Sequence, residues 1–453
     1  MPEGDVARHI SASPWPKSGY AWYVVIILSF CYLVSFVDRQ ILNLLVPLIQ
    51  EDLGISDTQI SLLQGLSFAV FYSFLGIPIG MAVDKGPRVP IILAGIAVWS
   101  VMTAVCGLTK TYWHLFAARV GVGVGEATLS PAAYSIIADY IPPRKRALAM
   151  SIYFMGATVG ISMAMLGGAA AIGWAEGLGD VQIWLVGVLK PWQITFVLAA
   201  LPGLLAFGLM LSIREPARRM SGIGKPAGSH LTDRAISLGE IKDYLLENRR
   251  VYIAIFGGFT LFSLISFGFL AWIPTYMVRV HGLAPSETGW VVGLIYLIGG
   301  IGGTLFGGWL SDWMYSRGKK DAPLRVAILA AAGVSLLAPV ATLTPALELS
   351  VILLAGSVFF LLMPLGLAAV ALQAVTPNRM RGQVSALYLF FVTMGAMGLG
   401  PTSVALLTDF FFQDPSAVGK SLSTVAIAAT PLALIMLASG LSRYRQLIVD
   451  DDS

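Results

Sequence analysis

Four charged residues in two long apolar segments are the residues of this sequence best placed to do chemistry. Arg119 and Glu126 lie seven residues apart in one segment, and Asp38 directly precedes Arg39 in another. A charge at the centre of a membrane helix costs about 2.5–3.5 kcal/mol on insertion scales, so such residues mark substrate, ion or proton pathways. We call these four residues the central charge network and predict that it couples proton movement to a conformational change.

The segment that holds Arg119 and Glu126 predicts a kinked helix. Positions seven apart lie within roughly 20° of each other on an α-helix, so both side chains share one face, and Ser130 falls close to it. The ring of Pro131 excludes a hydrogen bond to the carbonyl of Ala127, four residues earlier. We therefore expect this charged, glycine-rich helix to be kinked by Pro131.

The other segment places its two charges on different sides of a helix. Adjacent residues point about 100° apart, so Asp38 and Arg39 cannot both face one cavity. Ser35, Arg39 and Asn43 form a polar stripe at four-residue spacing. We therefore expect Arg39 to face the pathway and Asp38 to face neighbouring helices. A rise of about 1.5 Å per residue places this pair at a depth between the two charges of the other segment.

Two interpretations of the central charge network stay open. A static set of ion pairs would hold the two segments together, but an apolar replacement is often no less stable. A switch whose pairing changes with protonation explains better why four costly charges are kept in the membrane. Burial disfavours a charged carboxylate and a nearby arginine favours it, so a change in surroundings can move its proton. Glu126 is the preferred proton carrier and Asp38 the second candidate.

Composition indicates a polytopic membrane protein. Of the 453 residues, 57% are hydrophobic and 12% are charged, about half the charged fraction of soluble domains. The net charge of +4 does not indicate nucleic acid binding, because the basic residues fall in short loops between apolar runs. The two cysteines lie inside apolar runs, so no structural disulfide is expected.

Hydrophobic runs predict an all-α polytopic fold with twelve transmembrane helices in two six-helix halves. The predicted spans are 22–50, 59–83, 89–109, 113–138, 147–172, 191–213, 251–279, 285–311, 324–343, 348–373, 382–409 and 421–441.

Charge distribution predicts the orientation of these spans. Of the 29 lysines and arginines, 23 fall on one side, 4 on the other and 2 within spans. The positive-inside rule then places both termini in the cytoplasm, and we expect a bacterial inner-membrane protein that works as a monomer. The predicted divisions are an N-terminal tail (1–21), a first bundle (22–213), a linker with an amphipathic helix (214–250), a second bundle (251–441) and a C-terminal tail (442–453).

The two halves repeat short motifs. A glycine and an aspartate four residues apart end span 2, at Gly80 and Asp84, and end span 8, at Gly308 and Asp312. A Pro-x-Arg-x-Arg pattern precedes spans 5 and 11. Internal duplication in a membrane protein predicts a transporter whose site lies between the repeats.

These motifs resemble those of the major facilitator superfamily. The run from Gly80 to Arg88 resembles its loop 2–3 motif, although the glycine after the acid comes one residue early and one basic residue is missing. Arg119-x-x-x-Gly-x-Gly125 resembles its span 4 motif. The proline of the drug/proton antiporter motif is absent from span 5, which argues against that branch.

Residues 30–165 are more specifically similar to the Spinster family. The resemblance rests on Asp38-Arg39, Trp99-Ser, Val-Gly-Val-Gly-Glu126-Ala, and the following Ser-Pro and Ala-Asp-Tyr140, and it is thin in the second half. Animal Spinster proteins are associated with sphingosine phosphate and lysophospholipids, and a proton-driven cycle is suspected for the family. The resemblance implies alternating access, with Asp84 facing the N-terminus of span 11.

Two further sets of residues are assigned to gating and to the substrate cavity. The gating set lies at helix ends: Asp84, Lys85, Arg88, Arg144, Arg146 and Asp312, with Pro274 expected to break span 7 near its outer end. The cavity is expected to be lined by Ser35, Asn43 and Ser130 from the first half and by Phe262, Phe269, Met363, Tyr388, Phe391 and Met394 from the second.

The leading functional hypothesis is a proton-coupled secondary transporter of an amphipathic, lipid-like organic anion. The alternative is transport of a small hydrophilic anion such as a sugar acid, and a receptor on a transporter fold is a third possibility. We expect no enzymatic activity, no metal and no cofactor other than the proton. Expected partners are the small-molecule substrate and the lipid bilayer, without nucleic acid.

Overall fold

The computed structural model describes residues 16–184, 187–218, 238–377 and 379–448. Within them, eleven helices are long and apolar enough to cross a membrane, and a twelfth is divided in two. Parts of the predicted tails and linker, namely 1–15, 219–237 and 449–453, lie outside the described residues. The predicted all-α polytopic fold is confirmed.

The first half contains helices α1 to α6 and one small hairpin. Strands β1 and β2 connect α5 to α6 and pair antiparallel. The bounds are α1 Ser18–Leu53, α2 57–85, α3 Arg88–Cys106, α4a Tyr112–Glu126, α4b Leu129–Tyr140, α5 Pro143–Leu178, β1 Val181–Ile183, β2 Gly187–Leu189 and α6 Pro191–Leu211.

The second half begins after a short amphipathic helix, the linker helix Leu238–Glu247, whose Tyr244 hydroxyl donates to the carbonyl of Val375 at 2.8 Å. The remaining bounds are α7 Arg249–His281, α8 Pro285–Ser316, α9 Ala322–Leu343, α10a Leu347–Leu362, α10b Leu367–Val375, α11 Arg381–Phe412 and α12 Val418–Leu447.

The fourth span is interrupted where the sequence predicts a kink. Helix α4a ends at Glu126 and α4b starts at Leu129, and the hydroxyl of Thr128 donates to the carbonyl of Gly125 at 2.9 Å. The corresponding span of the second half is also interrupted, at a glycine with a φ of +88°, Gly366, which the sequence analysis did not predict. The internal repeat therefore extends to a broken helix in each half.

The predicted break of span 7 at Pro274 is wrong. Helix α7 continues through this proline to His281. Proline removes the donor that would bond to the carbonyl four residues earlier, here that of Leu270. The side-chain amide of Asn43 donates to this carbonyl at 3.3 Å instead, so a contact from the other half replaces the missing bond.

The two halves touch at one end of the molecule. We call the end that carries β1 and β2 the hairpin end, and the end that carries the linker helix the linker end. Toward the hairpin end, a Cβ on Gly289 of α8 would lie 2.7 Å from the carbonyl oxygen of Met165 in α5. Toward the linker end, the glycines of α2 and α8 face open space at Gly76, Gly80 and Gly308. The halves are therefore closely packed only toward the hairpin end of these helices.

Candidate functional site

An ion pair between α1 and α4a forms the centre of the site. The guanidinium of Arg39 pairs with Glu126, and its Nε donates to the Oε2 of Glu126 at 3.2 Å. The guanidinium also lies over the ring of Phe68, 4.0 Å from its centroid. The side chain of Glu126 is only 1% exposed, so this charge pair is held among apolar and aromatic groups.

The side chain of Arg119 joins α4a to the backbone of α1. Its Nη1 donates to the carbonyl of Asp38 at 3.0 Å, and its Nη2 donates to the carbonyl of Arg39 at 3.1 Å. With Glu126 bonded to Arg39, the α1 pair lies between the two charges of α4a, as the sequence analysis predicted. The network therefore fixes the register of α1 against α4a.

Asp38 is the member of the network that has no hydrogen-bond partner among the described residues. It is fully buried, and both of its carboxylate oxygens lack a partner. The hydroxyl of Thr103 in α3 lies near the carboxylate but outside hydrogen-bond geometry. The sequence predicts that Asp38 faces neighbouring helices and Arg39 the pathway. In the structure Asp38 lies near α3, and Arg39 pairs with Glu126 of α4a. An ionised carboxylate left this way is costly.

A layer of amide side chains lies next to Arg39 between the two halves. Asn43 donates to the side chain of Gln40 at 2.6 Å, and Gln64 of α2 donates to the side chain of Asn43 at 3.1 Å. Gln64 also donates to the carbonyl of Ala271 in α7 at 3.1 Å. A cavity next to this layer is lined by Arg39, Gln40, Asn43, Gln64, Phe267, Leu270, Ala271, Met397 and Pro401.

The other predicted polar residues of the first half contact tyrosines. Ser130 lies within hydrogen-bond distance of the Tyr153 hydroxyl, at 3.2 Å. Ser35 donates to the carbonyl of Tyr32 at 2.9 Å, and the rings of Tyr32 and Tyr153 stack at 4.5 Å between centroids. Ser130 and Ser35 thus belong to an aromatic cluster beside the charge network.

The predicted lining of the second half is divided between core and surface. Phe262, Phe269 and Met363 are buried in its apolar core and do not line an accessible surface in this conformation. Tyr388 is nearly buried and Phe391 is 48% exposed. Met394 is partly buried and packs with the apolar cluster formed by Phe68, Ala69 and Met397, which joins α2 to α11.

Most predicted gating residues lie exposed at the linker end. Asp84, Lys85, Arg144 and Asp312 are exposed, and Arg146 donates to the carbonyl of Ala138 at 2.9 Å. The Asp84 carboxylate makes no hydrogen bond or ion pair within the described part of the chain. Its contact with α11 stays a prediction.

Arg88 is buried and connects three segments of the first half. It pairs with Asp139 of α4b and, at 2.8 Å, with Glu215 after α6. The second carboxylate oxygen of Glu215 accepts the backbone N–H of Val89 at 2.8 Å. Burial would raise the pKa of Glu215, but the bonds from Val89 and Arg88 outweigh it and hold the pKa below its usual value.

The hairpin end carries polar contacts that the sequence analysis missed. Arg279 of α7 pairs with Asp57 of α2 at 2.6 Å, and Asp409 of α11 accepts the backbone N–H of Thr58 at 2.7 Å. Arg279 and Asp409 appeared in the sequence as isolated charges at span ends. Nothing in their local pattern indicated partners more than 200 residues away.

Two six-helix halves, a buried charge layer between apolar walls and closure at one end define a membrane transporter. Residues 28–401 match the model of the Major Facilitator Superfamily. The chain belongs to the major facilitator superfamily and is a multi-pass membrane protein.

Known members of this superfamily resemble the chain over most of its length. An "MFS-type efflux pump" of Mycolicibacterium smegmatis is 25% identical and covers 95% of each chain. The "Hexuronate transporter" of Bacillus subtilis is 26% identical, over 85% of this chain and 87% of its own. The crystal structure of a bacterial homologue of the human lysosomal transporter Spinster, in an inward-facing and unoccupied conformation, has a TM-score of 0.77 and 27% identity, over 95% of this chain and 98% of that one. The predicted resemblance to the Spinster family is confirmed.

Proposed function

We propose that this protein is a proton-coupled secondary transporter that moves an amphipathic organic anion by alternating access. The observation that carries the proposal is the Arg39–Glu126 pair beside the carboxylate of Asp38, which has no hydrogen-bond partner among the described residues. A second cation, Arg119, balances the second carboxylate. Such a layer can hold or release one proton without leaving a large net charge in the membrane.

The coupling step would be a competition for Arg39. When Glu126 is ionised it occupies the guanidinium, as in this conformation. When Glu126 takes up a proton, the guanidinium becomes free to bind the anionic head of a substrate, since charge-assisted bonds from arginine are strong and often bidentate. Asp38, next to Arg39 in the chain, is the second candidate for the proton.

The proposed orientation in the membrane places the linker end on the cytoplasmic side. With the linker end in the cytoplasm of a bacterial cell, the halves would be open toward the inside and closed toward the outside. The basic residues at the linker end support this orientation through the positive-inside rule. We place the protein in the inner membrane as a functional monomer.

A second candidate is transport of a small hydroxylated anion such as a sugar acid. The amide layer of Gln40, Asn43 and Gln64 favours it, because amides can bond to the hydroxyl groups of a sugar. Gln64 keeps a buried side-chain oxygen without a partner among the described residues. The hexuronate transporter that resembles this chain supports the same candidate.

The function is tested by flux in proteoliposomes under an imposed pH gradient. We expect uptake of a lysophospholipid to follow the gradient and to collapse when a protonophore dissipates it. Hexuronate, measured in the same vesicles, tests the second candidate. Uptake that does not change with the gradient would exclude proton coupling, and no flux of either anion would favour the receptor hypothesis.

A further inference from the structure

A bidentate polar contact between the two halves lies at the hairpin end, away from the central charge network. Both terminal nitrogens of Arg279 donate to the carboxylate of Asp57, at 2.8 and 2.6 Å. Nη2 also donates to the side-chain oxygen of Gln50 at 2.6 Å. Asp57 is 3% exposed, so this bidentate ion pair is largely removed from water.

A second contact between the halves lies beside the first. One carboxylate oxygen of Asp409, near the end of α11, accepts the backbone N–H of Thr58 at 2.7 Å and its hydroxyl at 2.6 Å. Thr58 directly follows Asp57 in the first turn of α2. The aspartate of one half therefore holds the beginning of a helix in the other half.

All five of these bonds cross from one half to the other. Gln50, Asp57 and Thr58 belong to the first half, and Arg279 and Asp409 belong to the second. The hairpin end cannot open while these bonds are made. Breaking them leaves a carboxylate and a guanidinium that must both be solvated again, which opposes the opening.

We propose that these five residues, the hairpin-end latch, set the equilibrium between the two access states of the transporter. The inference rests on the proposed function, because it assumes that the hairpin end opens. Helices α2 and α11 then carry an acid at each end of their contact: Asp409 reaches the start of α2 here, and Asp84 is predicted to face the start of α11 in the other state. Weakening one contact raises the population of the state that lacks it.

The latch is tested by distance measurements across the hairpin end. Spin labels are placed at two exposed positions on opposite halves, Trp113→Cys and Leu349→Cys, since the native cysteines are buried. Arg279→Gln and Asp409→Asn should each raise the ratio of long to short distances at least about tenfold, which corresponds to about 1.4 kcal/mol.

A matched control uses an ion pair at the same end that stays within one half. Lys190 pairs with Asp180 at 3.5 Å, so Lys190→Gln should leave the distances unchanged. The charge exchange Asp57→Arg with Arg279→Asp should restore the short distance that Arg279→Gln loses. Asp409→Asn keeps the size of the side chain and tests the latch if an arginine variant does not fold.

The outcomes separate the latch from the proposed function. Unchanged distances in folded Arg279→Gln and Asp409→Asn, with normal proton-driven flux, would overturn the latch alone. Long distances in these two variants, without a shift in Lys190→Gln, would support the latch even if neither tested anion is transported, because the measurement needs no substrate.

Discussion

At the scale of single residues, the central charge network contains one direct ion pair, and the carboxylate of Asp38 has no hydrogen-bond partner within the described part of the chain. A purely static network would be expected to pair both acids, because a buried charge that lacks a partner lowers stability. The guanidinium of Arg119 instead donates hydrogen bonds to the backbone carbonyls of Asp38 and Arg39. The arrangement therefore favours the protonation switch over the static alternative.

Glu126→Gln tests the switch directly. Glutamine mimics the protonated carboxyl and keeps its size, so we expect the fold to be retained and proton-driven flux in proteoliposomes to fall by at least about tenfold. The physical reason is that glutamine can neither take up nor release the coupling proton, whereas Arg39 stays free to bind the substrate. Exchange of substrate without a gradient should persist.

The control for this substitution is an exposed acid at a helix end. Glu348 lies in the first turn of α10a, and the Glu348→Gln variant should show normal flux. If Glu126→Gln keeps full flux with the same pH dependence, Glu126 does not carry the proton, and Asp38→Asn becomes the decisive variant.

The positions of the charges could be predicted from the sequence, whereas several residues around them could not. Helix periodicity and rise were sufficient to place Arg39 between Glu126 and Arg119. Gln40 and Gln64 were missed, because a single uncharged amide costs much less to bury in a membrane span than a charge does, so it is a weak sign of function. Burial of Phe269 and Met363 could not be predicted, since the facing of apolar side chains in apolar helices leaves no periodic signal.

At the scale of elements, two prolines within predicted spans occupy different positions in their helices. Pro131 lies in the first turn of α4b, where the chain has already left the helix at Ala127 and Thr128. Pro274 lies inside α7, where Asn43 replaces the missing bond to Leu270. A sequence shows which carbonyl a proline frees, but the group that satisfies it comes from the tertiary fold.

Asp84→Asn tests the predicted contact at the linker end of α2. A carboxylate at a helix N-terminus contributes about 0.3–1 kcal/mol, and up to about 2 kcal/mol when partly buried. Its loss should shift the ratio of the two states by roughly two- to thirtyfold toward the one open at the linker end. Distances measured between labels at the linker end would report this shift.

The control for Asp84→Asn is an exposed acid of the linker helix, Asp243. Asp243→Asn should leave the distances at the linker end unchanged. An identical distance distribution in Asp84→Asn and the unmodified protein would remove Asp84 from the gating set.

Glu215→Gln tests how the segment after α6 is held to α3. The pKa of Glu215 lies below its usual value, so its bonds contribute stability at neutral pH that is lost as pH falls through the lowered pKa. Since the side chain is 34% exposed, we expect the free energy of unfolding to drop by only about 0.2–1 kcal/mol at pH 7.

Thermal unfolding in detergent at pH 7 and at about pH 3.5 measures this effect. The difference between Glu215→Gln and the unmodified protein should shrink at the lower pH, because the stability from a lowered carboxylate pKa declines as pH falls below the usual pKa of glutamate. Glu51→Gln, at an exposed acid of α1, should change stability little at either pH. An equal loss at both pH values would mean that packing, and not charge, is responsible.

At the scale of the whole molecule, the two halves share a fold but differ in chemistry. Both contain a broken helix at corresponding positions, α4 and α10. The short repeated motifs were sufficient to predict the duplication. The hairpin-end latch could not be predicted, because it depends on how the halves meet, which short motifs within each half do not encode.

This asymmetry leads to the prediction about substrate. The four charges of the network all belong to α1 and α4a, whereas the second half offers mainly apolar groups near the central cavity, such as Phe267 and Met397. A cavity with a polar wall that includes Arg39 and an apolar wall from the second half suits an anionic head attached to a hydrocarbon chain. Each methylene buried should add about 0.8 kcal/mol, or roughly fourfold in affinity, until the apolar space is filled.

Competition in proteoliposomes decides between the two substrate classes. Lysophospholipids or alkyl phosphates of increasing length should inhibit uptake with rising potency and then reach a plateau, whereas hexuronate should compete weakly. Arg39→Gln should remove the preference for an anionic head while the dependence on chain length remains, because the two arise from different walls. The second candidate is correct if uptake of hexuronate is saturable, is insensitive to long-chain anions and is lost in Gln64→Ala. In that case the amide layer binds the substrate.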